Sequence, residues 1–192
     1  MQPAYDADAR LETEWLTRTS LGDRAAFERL FRRYEHRIYR FLIGLVRDAQ
    51  LAEELTGDVM LDVWRGAGRF RGNAKVSTWI FGIAHHKAID ALRRRKPESI
   101  ELQTLAATGD AAAGPEELAI ADDFRRALAD AMAELTPEHR AVLELTFVNG
   151  CSQAEIAAIV DCPVNTVKTR VFYAKQQLRR IFERRGVRGE MP

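Results

Sequence analysis

The chain has 192 residues, 29 Lys and Arg against 28 Asp and Glu, and 46% hydrophobic residues. That length holds one large domain or two small ones, and the near-zero net charge excludes a uniformly basic or acidic protein whose bulk field selects its partner. No apolar run reaches bilayer-spanning length, and the opening MQPAYDADARLE has neither the basic start nor the apolar run of a signal peptide, so a cytoplasmic chain without direct membrane insertion is expected.

Charge is unevenly placed. Residues 1–96 hold 18 basic and 13 acidic side chains, residues 97–123 hold none and 7, and residues 124–192 hold 11 and 8. Two mildly basic halves are thus separated by an acidic strip, which would avoid a DNA backbone or lie in a basic channel on a partner.

Residues 1–19 are polar and are expected to fray until Trp15 and Leu16 find a surface. Asp23 is placed to cap a helix. Phe27, Leu30, Phe31, Tyr34, Ile38, Phe41, Leu42 and Leu45 recur at helical spacing, predicting one long core helix over 24–46, with Arg29, Arg32, Arg33, Arg37 and Arg40 as a solvated flank. Leu51 to Gly66 is a second helix with Leu51, Leu55, Val59 and Val63 as its buried stripe. Glu54, Asp58 and Asp62 stand four apart on another face. Such a row costs a few tenths of a kcal/mol per pair through repulsion, so it is either solvated or matched by a basic partner.

A glycine-bearing basic loop, Gly68 to Val76, leads to Ser77, read as the cap of a helix through Arg95. Asn73, Lys75, Ser77 and Thr78 beside Trp79 have the chemistry to hold an unstacked nucleotide. Equally, Trp79 can be core and Arg93, Arg94, Arg95 and Lys96 a helix end that satisfies its dipole. His85 and His86 are adjacent, about 100° apart on a helix, and cannot form an i, i+4 metal pair.

Pro97 to Asp123 lacks an amphipathic period and reads as a flexible acidic linker. Phe124, Leu128, Ala131 and Leu135 open the second domain, and Thr136-Pro137 starts its next helix, which carries Val142, Leu143, Leu145 and Phe147. Ser152 and Glu155 have capping-box spacing, Gly150 can end the preceding helix in the left-handed region, and Asp161-Cys162-Pro163 stops a short helix.

The following helix repeats Val164, Val167, Val171, Ala174, Leu178 and Ile181 as an apolar stripe. Its opposite side carries Asn165, Lys168, Thr169, Phe172, Lys175, Gln176 and Arg179, with Thr166 at the start. From Val164 to Arg185 there are seven basic residues against one acid, Glu183. A short helix, a tight break and a long basic amphipathic helix predict a helix-turn-helix whose second helix enters the major groove. The competing reading is a solvated basic helix in a bundle. Short polar and cationic groups at the helix start favour the first, because that is where a recognition helix meets bases and phosphates. Cys151 and Cys162 lack histidines at ligand spacing, so small buried thiols are expected rather than a metal site.

These stretches, in this order, resemble the extracytoplasmic-function (ECF) sigma factors, the small two-domain group of the sigma-70 family. Gly22 to Tyr34, Ala52 to Trp64 and Ser77 to Arg95 resemble region 2; Leu135 to Leu145 and Ser152 to Arg179 resemble region 4. Glu54-Leu55-Thr56-Gly57-Asp58 stands where the family usually shows Asp-Leu-x-Gln-Glu, and His85-His86 stands where it has an arginine-asparagine pair. The resemblance implies an all-α fold of two small helical domains, 1–96 and 124–192, joined by the linker 97–123. It implies that Glu54, Asp58 and Asp62 dock on the β′ coiled coil of core RNA polymerase, and that the β subunit is a further partner. It places Asn73, Lys75, Ser77, Thr78, Trp79, His86, Lys87, Arg93 and Arg94 at the minus-ten element of promoter DNA. Asn165, Thr166, Lys168, Thr169, Phe172, Lys175, Gln176 and Arg179 would meet the minus-thirty-five element. An anti-sigma factor is the implied regulator.

The expected function is promoter recognition and transcription initiation, with no catalytic residue, cofactor or metal. A helix-turn-helix regulator with an N-terminal sensing domain is the alternative, but residues 20–96 read as helices filled by their own apolar stripes. An enzyme built on Glu53, Glu54, Asp58 and Asp62 fails because a di-metal bundle needs Glu-x-x-His pairs, and none occurs on this helix.

Overall fold

The computed structural model describes residues 3–95 and 115–186, with side chains placed for 8–95 and 124–186. Eight α-helices occur among the described residues: α1 Pro3–Ser20, α2 Arg24–Val46, α3 Ala49–Gly66, α4 Val76–Arg94, α5 Pro115–Ala133, α6 Pro137–Leu143, α7 Gln153–Ile159 and α8 Val164–Arg184. A short 3-10 turn, Ala67–Arg69, follows α3, and a π-helical turn, Glu144–Val148, follows α6. No strand is present among these residues.

α2 is the central element. Asp23 caps it, its carboxylate accepting the Ala26 N–H at 3.1 Å, and Arg47 ends it in the left-handed region at φ 57. Leu30, Tyr34, Ile38, Phe41, Leu42 and Leu45 are fully buried along one stripe. Each such apolar side chain contributes about 1.5–3 kcal/mol. α3, capped by Asp48 on the Leu51 N–H at 2.9 Å, brings Val59, Met60 and Val63 onto that stripe, and α4 brings Ile80, Phe81 and Ala84. Phe41 and Phe81 meet edge to face at 5.4 Å, a geometry aromatic quadrupoles favour.

Three expectations are corrected. The N-terminal stretch is not frayed: Pro3–Ser20 is helical, Leu16 is 1% exposed, and Arg33 of α2 bonds Asp8 at 2.7 Å and Glu12 at 2.6 Å. The acids of α1 thus find cations on α2, which lets a polar helix dock. α4 starts at Val76 with Lys75 in the cap position and no side-chain cap bond, so Ser77 lies inside the first turn. α5 begins at Pro115, inside the stretch expected to be linker. Proline suits a first helical position.

The two halves of the chain share one core. Ala141, Val142, Leu145, Ile156, Ile159, Val160 and Val167 belong to the same buried cluster as Leu30, Phe41 and Ile80. A second, smaller cluster lies within the C-terminal half, where Ala131, Leu135 and Leu143 meet Ala174, Leu178, Ile181 and Phe182.

Candidate functional site

The break between α7 and α8 is built as its sequence requires. The Ser152 hydroxyl accepts the Glu155 N–H at 3.3 Å, and the Glu155 carboxylate accepts the Ser152 N–H at 2.7 Å, a complete capping box. Gly150 sits at φ 63, where a Cβ would be strained. Asp161 is left-handed at φ 49 and Pro163 holds the cap position of α8, so the chain turns within three residues of the α7 end.

α8 buries Val167, Ala174, Leu178, Ile181 and Phe182. Val164, expected in the stripe, is the first residue of α8 and is 38% exposed. Asn165, Lys168, Thr169, Phe172, Gln176 and Arg179 are exposed together on the other side, while Thr166 and Lys175 are half-buried. Lys175 lies 5.0 Å from the centre of the Phe147 ring, close enough for a cation–π contact. That ring is 58% exposed. Arg179 bonds Glu183 at 3.0 Å. α8 therefore presents a polar, cationic and aromatic face, exposed at Asn165, Lys168, Thr169, Phe172, Gln176 and Arg179 and met by Phe147 only at Lys175 among the described contacts.

The residues around α3 and α4 are arranged differently from a set of separate binding groups. Glu54, Asp58 and Asp62 do share one exposed side of α3, and Gln50 donates to Glu54 at 3.2 Å. Lys87 of α4 reaches across to Asp62 at 2.9 Å and Asp58 at 3.8 Å. The acidic row thus has a cation of its own.

Asn73 and His86 are exposed, and so are Arg93, 4.0 Å from Asp90, and Arg94. Arg95 pairs with Asp48 at 2.9 Å; Lys96 falls outside the described residues. Ser77 and Trp79 are half-buried and Thr78 is 6% exposed. The Trp79 ring packs 5.5 Å from Phe70 and against Gly66, where a Cβ would come within 3.3 Å of it. Trp79 is thus both a core residue and a wall of the loop. His85 is buried and its Nδ1 has no hydrogen-bond partner among the described residues. Burial, then His86 and Arg170, bring its imidazole down to about 4, so it is neutral at pH 7.

Three side chains join the halves, of which the sequence left Arg140 and Glu144 unremarked and gave Lys75 a different role. Lys75 bonds Glu155 of α7 at 2.6 Å. Arg140 of α6, 8% exposed, donates from Nη1 to the carbonyls of Leu45 at 3.2 Å and Gly44 at 3.4 Å, satisfying carbonyls at the end of α2 that the helix leaves open. Glu144 lies so close to Gly44 that a Cβ there would be 2.8 Å from its Oε1. Burial pushes the Glu144 carboxyl up to about 7, with Arg40 and Arg140 pulling against it.

Cys151 and Cys162 are free thiols and half-buried rather than buried. Burial, then Glu155, pushes Cys151 up to about 11, which makes it a poor nucleophile at pH 7. No group of His, Cys, Asp and Glu among the described residues is arranged to hold a metal, and no described helix is long and apolar enough to cross a membrane.

Comparison with known proteins places this geometry. Residues 30–98 match sigma-70 region 2 and residues 125–178 match sigma-70 region 4. The ECF RNA polymerase sigma factor SigK of Mycobacterium tuberculosis is 32% identical over 168 residues, covering 85% of this chain and 89% of that protein. The RNA polymerase sigma-H factor of Pseudomonas aeruginosa is 29% identical over 176 residues, covering 87% and 91%. Among solved structures, CnrH in complex with the cytosolic domain of CnrY aligns with a TM-score of 0.68 at 20% identity, covering 90% of this chain and 97% of that one. The sigma factor RpoE of Bartonella quintana, in complex with the anti-sigma factor NepR, aligns with a TM-score of 0.66 at 22% identity, covering 82% and 96%. These two establish the fold. With sigma-70 regions 2 and 4 in this order and a relative of this identity across most of its length, the chain belongs to the ECF sigma factors: it is a transcription initiation factor that binds core RNA polymerase and promoter DNA, and it is not an enzyme.

Proposed function

We propose that the surfaces described above divide the work of initiation in the cytoplasm. Residues 1–96 dock on polymerase and read the minus-ten element, residues 124–192 read the minus-thirty-five element, and the intervening segment connects them. Glu54, Asp58 and Asp62 meet a basic surface of the β′ coiled coil. Asn73, Lys75, Ser77 and Trp79 hold an unstacked base, and His86, Lys87, Arg93 and Arg94 meet the strand beside it, where Lys and Arg neutralise phosphate. On α8, Asn165, Lys168 and Thr169 stand where a recognition helix meets base edges, and Lys175, Gln176 and Arg179 stand along the backbone.

The observation that carries this reading is the uncovered face of α8 behind a complete helix-turn-helix. Control by an anti-sigma factor is part of the proposal. It rests on the family and on the fold shared with RpoE, which was solved in complex with the anti-sigma factor NepR.

The test is run-off transcription by core polymerase with this chain on a promoter library. Transcripts that start at a fixed distance from shared minus-ten and minus-thirty-five sequences are the expected result. Starts that ignore this chain would overturn it.

A further inference from the structure

α2, α4, α5 and α6 and the end of α8 contribute to the wall of a cavity of about 450 Å³, within the range of roughly 300–1,000 Å³ usual for small-molecule sites. Part of that wall is hydrocarbon, Leu92 and Ala133 included. The rest is charged, with Arg47, Arg140 and Arg185 against Asp130 and Glu134.

These charges do not balance locally. Both carboxylates are taken by the end of α8: Arg185 reaches Glu134 at 2.7 Å and Asp130 at 3.5 Å, and Arg184 bonds Glu134 as well. Two guanidinium groups are left over. Arg140 is buried, its Nη1 donates only to neutral carbonyls, and its Nε has no partner among the described residues. Arg47 forms no ion pair among the described residues, and Asp130 acts on it only at longer range. A cation taken out of water without a counter-ion is costly. Burial, then Arg47, brings the Arg140 guanidinium down to about 10, and burial lowers Arg47 too, with Asp130 opposing.

Two such cations beside an apolar wall select a ligand by charge and shape. A phosphate monoester carries about −1.5 to −2 charges near pH 7 and three acceptor oxygens, which suits a pair of guanidinium forks. A carboxylate supplies one charge only. A DNA backbone fits poorly in a recess whose wall also holds two carboxylates. The volume leaves room for more than the phosphate, and hydrocarbon lines it.

We propose that this cavity binds a small phosphate monoester with an apolar body, its phosphate between Arg47 and Arg140 and its body against Leu92 and Ala133. The site shares no residue with the promoter and polymerase contacts assigned above. It gives the factor a small-molecule input, since a ligand bound there stabilises the folded chain by mass action.

The test uses the full chain and isothermal titration calorimetry, in buffer free of phosphate and sulfate, with phenyl phosphate, inorganic phosphate and phenol as probes. Wild type should take up one phenyl phosphate saturably, about tenfold or more tighter than inorganic phosphate, because the ring adds apolar burial. Phenol should not bind saturably. Arg47→Gln removes one cation that makes no ion pair, and should weaken phenyl phosphate about tenfold or more. Ala133→Leu fills the cavity while keeping every charge, and should weaken it by a similar factor. Arg29→Gln, an exposed arginine outside the cavity wall, should bind as wild type does. Circular dichroism first establishes that each variant keeps its helical content.

No saturable binding of phenyl phosphate overturns the site. Equal weakening in Arg29→Gln overturns it too, by showing diffuse attraction to surface charge. Wild-type affinity in either Arg47→Gln or Ala133→Leu would place the anion elsewhere, on the basic face of α8 for instance, and overturns the assignment. Inorganic phosphate bound as tightly as phenyl phosphate overturns the apolar body.

Discussion

Lys87 Nζ stands 2.9 Å from Asp62 Oδ2 and 3.8 Å from Asp58 Oδ2, so a cation assigned to promoter DNA closes on the acids assigned to polymerase. The three side chains lie on α3 and α4, and all are partly exposed, Lys87 at 25%, Asp62 at 46% and Asp58 at 61%. In that setting an ion pair adds little to stability, since solvent screens it and two long side chains must be held still. Its consequence lies in binding. Under the proposed assignments, a basic surface that took over the acids would release Lys87 towards the DNA side and so tie polymerase docking to promoter contact.

Asp62→Asn should therefore cost less than about 1 kcal/mol in urea unfolding while lowering affinity for core polymerase about tenfold, read by fluorescence anisotropy. Wild-type affinity in that variant and in Asp58→Arg would remove the docking role of the row. A large loss of stability would instead show the pair to be structural.

α1 should matter to folding. Leu16 is 1% exposed in the main cluster, and Arg33 holds Asp8 and Glu12 beside it. Leu16→Ala should cost about 2–5 kcal/mol, the range for deleting a buried leucine. An unfolding midpoint equal to wild type would mean that the helix frays in solution.

Much of this was legible in the sequence because periodicity reports one-sided burial. The stripes of α2 and α8, the Asp23 cap and the Ser152–Glu155 box all follow from spacing alone. α1 was not, since one of its buried residues is Glu12, an acid made tolerable only by Arg33 twenty-one positions away. The joint between the halves was hidden for the same reason. Arg140 and Glu144 carry no periodic or motif signal, Lys75 and Glu155 are read for other roles, and only tertiary packing supplies the carbonyls, the glycine and the counter-ion that they meet. A signal of another kind did exist at Arg140. It directly precedes Ala141-Val142-Leu143 in a helix of seven residues, all three buried, which leaves little room for an outward face.

Two groups at this joint, His85 buried and Glu144 half-buried, should give opposite pH dependence. Burial pushes the Glu144 carboxyl from 4.5 to about 7, with Arg40 and Arg140 facing it. The folded chain therefore holds that proton more tightly, and the stabilisation, complete below 4.5, is lost as pH rises towards 7. His85, brought from 6.5 to about 4 by burial and then by His86 and Arg170, with Glu138 opposing, works the other way. Its contribution is complete above 6.5 and is lost as pH falls towards 4. Between about 4.5 and 6.5 the two slopes nearly cancel. Relative to wild type, Glu144→Gln should lose stability on acidification and His85→Gln on alkalinisation, each by at most about 1.4 kcal/mol per pH unit. Urea unfolding from pH 4.5 to 7.5 checks this. Differences from wild type that stay constant with pH would show that neither group is held as described.

The outer face of α8 should read charge broadly and sequence at few positions. Arg179 is exposed and shared with Glu183, more than two turns beyond the helix start, whereas Lys168 and Asn165 lie in the first turns, where base edges come within reach. Arg179→Ala should lower the affinity of the full chain for minus-thirty-five duplexes about evenly across sequences and flatten the salt dependence by about one unit. Lys168→Ala or Asn165→Ala should cost on the order of 1–3 kcal/mol at one base pair and relax preference there. All three are exposed, so each should change unfolding stability by no more than about 0.5 kcal/mol. The measurement is binding to duplexes varied one position at a time, at two or more salt concentrations. A salt slope and a base preference that survive all three substitutions would take α8 out of the DNA interface and leave it a solvated helix. An even loss in Lys168→Ala and Asn165→Ala would keep α8 on the DNA but reduce it to a phosphate-contacting helix.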